Sequence, residues 1–378
     1  MAGLVALDLP GGPGFVEALV RAWDGGDAVL PVDPRLPAPA RARLLADLAP
    51  TVLVEADGRT TLRHGRPVEA GDALVVATSG TTGSAKGVVL THDAVRASAL
   101  ATSARLGVDP DHDHWLACLP LAHIGGLSVV TRSVVTGTPV TVRPGFDTDD
   151  VADRSRHGAT LVSLVATALR RVDTSGYRAV LLGGAAPPEG LPANVVTTYG
   201  ATETGSGVVY DGVALDGVDL CIGDGTLGGA GEVLVRGPML LRAYRGADGE
   251  VDPLVADGWF PTGDAGELAA DGTLTVFGRM AEVVVTGGEK VWPVPVEAVL
   301  ARHPGVAEVA VWKRPDPEWG ERVVAWVVPT DSGCPPALGE LRDLVAGELP
   351  RWAAPKELVV VDALPRTLGG KVRRLALR

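Results

Sequence analysis

The feature that most constrains this chain is an alternation, over about its first two hundred residues, of short runs rich in β-branched and aliphatic residues with helix-length mixed segments. Residues 13–50 read as a short helix and turn, then an Ala/Arg/Leu helix beginning near Pro39, followed by the strand "TVLVE". The strand "ALVVA" (Ala73 to Ala77) enters a Ser/Thr/Gly loop, returns as "GVVLT", and leads to a helix with Thr91 as N-cap and Gly107 marking its end. Further strands are expected at "TPVTV", "ATLVSLV", "AVLLGG" and "NVVTTYG". Such alternation predicts an α/β fold with substantial parallel sheet. From about Gly205 to Gly278 the texture shifts to short strands with Gly/Asp turns, such as "GEVLVRG" and "GTLTVFG", which predicts a β-rich lobe. Mixed helix and strand resume after "GRMAEVVVTGGEKVWP". The expected organisation is a large N-terminal domain over 1–278, a joint at 279–282 and a small α+β C-terminal domain over 283–378.

A chain of 378 residues is long enough for two or three lobes. Its 46% hydrophobic and 21% charged residues allow a large buried core. The formal charge of -12 has no compensating basic block beyond a short C-terminal run, which argues against a nucleic-acid partner and makes any phosphate site a local one. Cys118, Cys221 and Cys334 lie far apart without metal-ligand spacing, so reduced thiols are expected rather than a disulfide framework or a zinc site. The opening "MAGLVALDLPGGPGF" has no basic segment followed by a long apolar one, and no stretch approaches a membrane span; a soluble, cytoplasmic protein without membrane insertion is expected.

Five loops carry the chemistry. The first, "ATSGTTGSAKGV", suits phosphate: Gly80 and Gly83 let backbone N–H groups approach an anion, Thr78, Ser79, Thr81 and Thr82 supply hydroxyls, and Lys86 supplies a point charge. It is not a Walker A loop, because Gly87 follows the lysine where Ser or Thr is required. A flexible turn without a ligand has the same composition. The second, "TTYGATETGSG", follows a strand, where α/β sheets place ligands. There Tyr199 can stack on a base, Gly200 lets the chain turn, and Thr202 and Glu203 offer hard oxygens suited to Mg²⁺, although in isolation Glu203 reads more readily as a solvated loop carboxylate. The third, "GWFPTGDAGEL", fixes Asp264 after a Thr-Gly turn, able to accept two ribose hydroxyls or to cap backbone. The fourth runs from Gly278 to Val291, and the fifth is "LPRTLGGKVRR", with Lys371 in a glycine-rich turn. The chain keeps five lysines against twenty-nine arginines, and Lys86, Lys290 and Lys371 stand in these loops. A compact ammonium fits between phosphate and carboxylate oxygens where a planar guanidinium does not, so their retention reads as functional.

In this order and spacing the loops resemble the adenylate-forming superfamily of acyl-CoA synthetases, peptide-synthetase adenylation domains and firefly luciferase, from about Asp72 to the end of the chain. The resemblance implies an ATP-dependent acid:CoA ligase that forms an acyl-adenylate and then a thioester, using ATP, Mg²⁺ and coenzyme A. Thr78 to Gly83 and Lys86 would hold the ATP phosphates, and Gly183, Gly184 and Ala185 of "LLGGAAP" would line the adenine beside Tyr199 and Gly200. Thr202 and Glu203 would face the α-phosphate and Mg²⁺, while Asp264 and Arg279 would bind ribose. Lys371 would bridge the attacking carboxylate and the nucleotide, and the C-terminal domain would be mobile, swinging to bring Gly287 and Gly288 beside the pantetheine. The joint position, usually Asp or Lys in the family, is Ala281 here. The phosphate loop also stands earlier than in typical relatives, which implies a shortened N-terminal subdomain.

Among the branches of this superfamily, the shortened o-succinylbenzoate:CoA ligases of menaquinone biosynthesis look most similar. "HGATLVSLVATALRRV" resembles their "SLVPTxLxRL" segment and "LPLAHIGGL" their acid-pocket helix start. His123, Ser163 and Thr167 would then border the carboxylic acid substrate, with Arg170 or Arg171 either facing a distal carboxylate or ending a solvated helix. Other aryl- or fatty-acyl-CoA ligases, an adenylation domain loading a carrier protein, and a non-catalytic binder of the same fold are the competing readings. A homodimer is compatible with all of them.

Overall fold

The computed structural model describes residues 2–79, 85–223, 230–366 and 372–377, with the side chain of Ser79 left out. Among these, the strands gather into four sheets. The chain divides into two compact units, one of residues 1–219 with 235–260 and the other of 220–234 with 261–378.

The first unit holds two sheets. In one, the parallel strands Leu4–Leu7, Ala28–Pro31 and Val52–Glu55 are extended by the antiparallel pair Asp72–Ser79 and Ala85–Thr91. The core on one side of it includes Leu4, Leu30, Leu48, Val75 and Val89. Gly87 is required by packing: a Cβ there would stand 2.5 Å from Val75 Cγ1. The other sheet is parallel through Val140–Val142, Trp115–Ala117, Leu161–Val165, Ala179–Gly183 and Val195–Ala201, in that spatial order, and ends in the antiparallel strand Ser206–Tyr210 and the short Val213–Ala214. Its central strands read as continuous aliphatic runs because both faces are covered.

The helix His92–Leu106 has the expected ends. The Thr91 hydroxyl accepts from Ala94 N at 3.1 Å, and Gly107 takes the left-handed conformation that closes the last turn. The second helix of interest, Ile124–Thr136, starts after His123 and ends at the left-handed Gly137.

The stretch 205–278 is β-rich, and its strands are shared out rather than gathered in one place. Ser206–Tyr210 and Val213–Ala214 extend the parallel sheet, whereas Ala243–Gly246 and Gly249–Val251 extend the first one. Only Asp219–Ile222, Gly231–Arg236, Phe260–Leu268 and Leu274–Arg279 form a sheet of their own. Hairpins docked on open edges cover backbone groups that would otherwise be unpaired.

The second unit includes a five-stranded sheet built on the long pair Val306–Asp316 and Gly320–Pro329. Alternation along the second of these strands explains its unbroken "VVAWVV". Val323, Ala325 and Val327 enter one core with Val296 and Leu341, whereas Val324 and Trp326 enter another with Trp312 and Leu364. No helix among the described residues is long and apolar enough to cross a membrane.

Candidate active site

The parallel sheet brings three of the predicted segments to adjacent carboxyl ends. Leu182 is in register with Leu164 on one side and Thr197 on the other, so Gly183–Ala185 emerges between Val165–Thr167 and Thr198–Gly200. Such strand ends are where an open α/β sheet can admit a ligand. Gly183 has no room for a side chain, since a Cβ would lie 2.6 Å from Thr198 Oγ1, and Gly184 takes φ +86° as the chain turns away, leaving Ala185 exposed. Gly200 is equally constrained: a Cβ would meet Ser206 O at 2.2 Å across the strand pair. Tyr199 is half-buried beside it.

The turn after Ala201 is locked from within. Thr204, which the sequence does not single out, is buried; its hydroxyl accepts from Ala201 N at 2.9 Å and donates to Ser206 O at 2.6 Å. Thr202 and Glu203 are thereby held half-buried at the edge of the site. The Glu203 carbonyl accepts from Leu241 N at 2.8 Å, fastening the turn to the chain that leads into the strand Ala243–Gly246.

Lys86 follows the Ser/Thr/Gly loop, in a strand paired so that Thr78 faces Lys86 and the Thr78 hydroxyl donates to its carbonyl at 3.2 Å. Its ammonium lies 3.0 Å from the centroid of the Tyr244 ring, and the Tyr244 hydroxyl donates to Glu203 Oε1 at 2.9 Å. Partial burial lowers the Lys86 pKa from the ordinary lysine value, against the pull of the Glu203 carboxylate. The structure thus joins Lys86 and Glu203 through Tyr244, which stands outside every loop singled out above. Gly80 to Gly83, with Thr81 and Thr82, lie outside the described residues.

Of the residues expected to border the acid, His123 is exposed at the start of the helix Ile124–Thr136, Ser163 is buried within its strand, and Thr167 is exposed in the short helix Ala166–Leu169. Arg170 and Arg171 are exposed, and Arg171 lies over the Phe146 ring. A different arginine stands out. Arg132, 1% exposed, has its guanidinium 4.8 Å from the Trp115 ring and donates from Nη2 to Ser206 Oγ at 3.3 Å, while Nε and Nη1 find no acceptor among the described residues. Burial pushes its pKa below the ordinary arginine value. Arg245, also fully buried, differs. Arg245 donates to the carbonyls of Leu48, Pro67, Ala49 and Arg66 and pairs with Glu250. A guanidinium keeps its charge and buried charges are ordinarily paired, so Arg132 lacks the partners that Arg245 has. Its sequence signal is a single charge in the otherwise uncharged helix "IGGLSVVTRSVVT".

In the second unit Asp264 and Arg279 are cross-strand partners, with Nε 3.0 Å from Oδ1. Arg279 also donates to Thr262 O, and the Thr262 hydroxyl accepts from Asp264 N at 3.1 Å. The two predicted ribose residues are therefore together. Gly287 and Gly288, both with positive φ, form the two-residue turn of the hairpin between Val284–Thr286 and Glu289–Val291, a geometry that selects glycine for backbone reasons alone. Gly287 is further confined by the Trp319 ring, 2.6 Å from where a Cβ would stand. Ala281 lies in a short 3₁₀ turn, Met280–Glu282. Lys371 lies outside the described residues.

Two family descriptions match the chain: AMP-binding enzyme over residues 60–245, and AMP-binding enzyme C-terminal domain over 295–371. A relative from Mycobacterium tuberculosis, named probable 2-succinylbenzoate--CoA ligase, is 42% identical over 339 residues, which is 84% of this chain and 86% of that protein. The chain belongs to the AMP-binding enzyme family. A 2-succinylbenzoate--CoA ligase of Listeria monocytogenes is 33% identical over 328 residues, 81% of this chain and 69% of that one. Among solved structures, o-succinylbenzoate CoA synthetase from Bacillus subtilis in complex with the acyl-adenylate intermediate OSB-AMP superimposes with TM-score 0.84 at 28% identity, covering 100% of this chain and 88% of that one. The same enzyme with ATP and magnesium ion gives 0.85 at 29% identity, covering 99% and 89%.

This AMP-binding enzyme has a donor set that fits Mg²⁺ carried by a nucleotide. Glu203 and Thr202 are hard oxygen donors, and no cluster of three or more His, Cys, Asp or Glu side chains able to hold a metal occurs among the described residues. A site with one carboxylate suits an ion that keeps water and phosphate oxygens in most of its positions.

Proposed function

We propose that this enzyme is an ATP-dependent 2-succinylbenzoate:CoA ligase of menaquinone biosynthesis, acting in the cytoplasm on a small dicarboxylic acid, ATP and coenzyme A. One observation carries the choice of acid: the buried Arg132, whose guanidinium has no carboxylate partner among the described residues although two of its nitrogens need one. The acid of this reaction has two carboxylates. One is activated, and the other must leave water at the cost of several kcal/mol unless a cation meets it. Arg132 supplies that cation on the helix that begins at His123.

In the first half-reaction a carboxylate oxygen attacks the α-phosphorus of ATP, the bond to the bridging oxygen breaks, and pyrophosphate leaves. Lys86 and the phosphate loop hold the triphosphate, Gly183 to Ala185 and Tyr199 hold the adenine, and Asp264 with Arg279 takes the ribose hydroxyls. Glu203, with Thr202, would hold Mg²⁺, which neutralises charge on the pyrophosphate. By the family resemblance Lys371 would bridge the attacking carboxylate and the nucleotide, stabilising charge that develops as the two anions meet. In the second half-reaction the CoA sulfur attacks the mixed-anhydride carbonyl, the thiol proton passes to solvent, and the acyl carbon–oxygen bond to the phosphate breaks to release AMP. We assign the joint between halves to residues 279–282, with residues 1–278 and 283–378 on either side, and the pantetheine path to the turn at Gly287 and Gly288.

A second reading is supported by a 36% identical relative from Aromatoleum aromaticum named indoleacetate--CoA ligase, which is matched over 80% of this chain. A pyrophosphate-release assay over 2-succinylbenzoate, benzoate and indoleacetate separates the two. The dicarboxylate is expected to exceed the monocarboxylates by at least about a hundredfold in kcat/KM, the scale of a buried charge pair. Equal turnover of the monocarboxylates removes the assignment.

A further inference from the structure

Tyr244 belongs to no predicted loop, yet it touches both charged groups of the phosphate site. The strand Ala243–Gly246 runs antiparallel to Ala85–Thr91 with Tyr244 opposite Val88, which makes Lys86 its diagonal neighbour on the same face. The ring carries the Lys86 ammonium at 3.0 Å from its centroid, and the hydroxyl donates to Glu203 Oε1 at 2.9 Å. No direct ion pair forms between Lys86 and Glu203 among the described residues; the cation rests on the π face and the anion on the hydroxyl of one side chain. Tyr244 is itself fixed, because the flanking Ala243 and Arg245 pair with Val89 and Gly87, and Leu241 N donates to Glu203 O.

We propose that Tyr244 is a positioning residue for adenylation, a spacer that keeps the phosphate-side ammonium and the metal-side carboxylate from neutralising one another before nucleotide arrives. A direct pair would occupy the N–H groups that phosphate needs and the lone pairs that a metal needs. On the tyrosine, Glu203 spends one oxygen on a phenolic hydrogen bond and keeps Oε2 unengaged by Tyr244, while Lys86 gives up only its ring-facing side. The rigid aromatic plane also limits where the carboxylate can point. The proposal rests on the assignment of Glu203 to Mg²⁺.

The test is ATP binding to the full chain by titration calorimetry, without acid, in EDTA and in Mg²⁺, which gives the factor by which metal strengthens nucleotide binding. Tyr244→Phe keeps the ring under Lys86 and removes the hydrogen bond to Glu203. It should lower the metal factor about tenfold, the scale of a hydrogen bond to a charged group, while metal-free ATP affinity stays within about twofold and the protein still melts cooperatively. Tyr244→Leu should weaken metal-free binding as well. A Tyr244→Phe protein with an unaltered metal factor, or one that no longer melts cooperatively, overturns the proposal. Glu203→Gln separates it from the reading beneath it. If Glu203→Gln leaves the metal factor intact, the metal assignment fails; if Glu203→Gln lowers it and Tyr244→Phe does not, the role of Tyr244 alone fails.

Discussion

Replacing Arg132 by methionine should make the protein more stable and the enzyme worse, and the two signs together test the reading of this residue. The guanidinium is 1% exposed, with Nε and Nη1 lacking acceptors among the described residues. Each unmet donor costs about 1–3 kcal/mol in the unliganded fold. The single hydrogen bond to Ser206 at 3.3 Å returns about 1 kcal/mol, and the stacking on Trp115 about 1–2 kcal/mol. Methionine keeps most of the apolar stem and fills the volume without the desolvated charge. The balance predicts a gain of about 1–3 kcal/mol, or roughly 2–10 °C in melting temperature for a unit of this size. With acid bound the balance reverses, because the substrate carboxylate loses its buried partner, about 3–5 kcal/mol, or roughly a hundredfold to five-thousandfold in kcat/KM for the dicarboxylate. Benzoate, which has no second carboxylate, should lose little. Thermal denaturation in the absence of ligands and pyrophosphate release with each acid give both readouts. A destabilised Arg132→Met protein with an unchanged KM for 2-succinylbenzoate would refute the reasoning, since it would make Arg132 an ordinary core residue.

Three further outcomes are expected. Lys371→Ala should abolish acyl-adenylate formation, read as loss of acid-dependent pyrophosphate exchange, yet leave thioester formation from supplied acyl-adenylate within about threefold; equal loss of both half-reactions would count against separate geometries for the two steps. Gly200→Ala places a Cβ 2.2 Å from Ser206 O and should cost about 1–3 kcal/mol with a clear loss of ATP affinity, and unaltered affinity by calorimetry would show that this turn does not set the adenine site. Burial would raise the Asp113 carboxyl, but Arg178, the Asp109 N–H and the Thr160 hydroxyl outweigh it and hold its pKa below the ordinary aspartate value. A depressed folded pKa stabilises above the unfolded value of about 3.9 and ceases to do so as pH falls through the folded one. Stability should therefore drop on acidification below about pH 4. Asp113→Asn should remove about 2 kcal/mol at neutral pH and flatten that part of the profile; chemical denaturation at a series of pH values would show otherwise if the two proteins run parallel.

The features legible from residue order alone are local. The Thr91 cap and the Gly107 stop of one helix, the strand runs, and the glycines at Gly183, Gly184 and Gly200 follow from backbone rules that operate over a few residues, and the ordered series of loops was enough to indicate the family. The pairing of Asp264 with Arg279 was also within reach, because both belong to one hairpin. The β-rich stretch shows where this ends: its residues announce strands, but edge pairing assigns them to three different sheets. Tyr244 and Arg132 lay beyond sequence reasoning for the same reason. Tyr244 matters because strand register sets it beside Lys86, more than 150 residues earlier, and Arg132 because helix packing buries it against Trp115 and Ser206 with too few acceptors. Residue type states what a side chain can do; only burial and neighbours, set by the tertiary fold, decide which charge is left needing a partner.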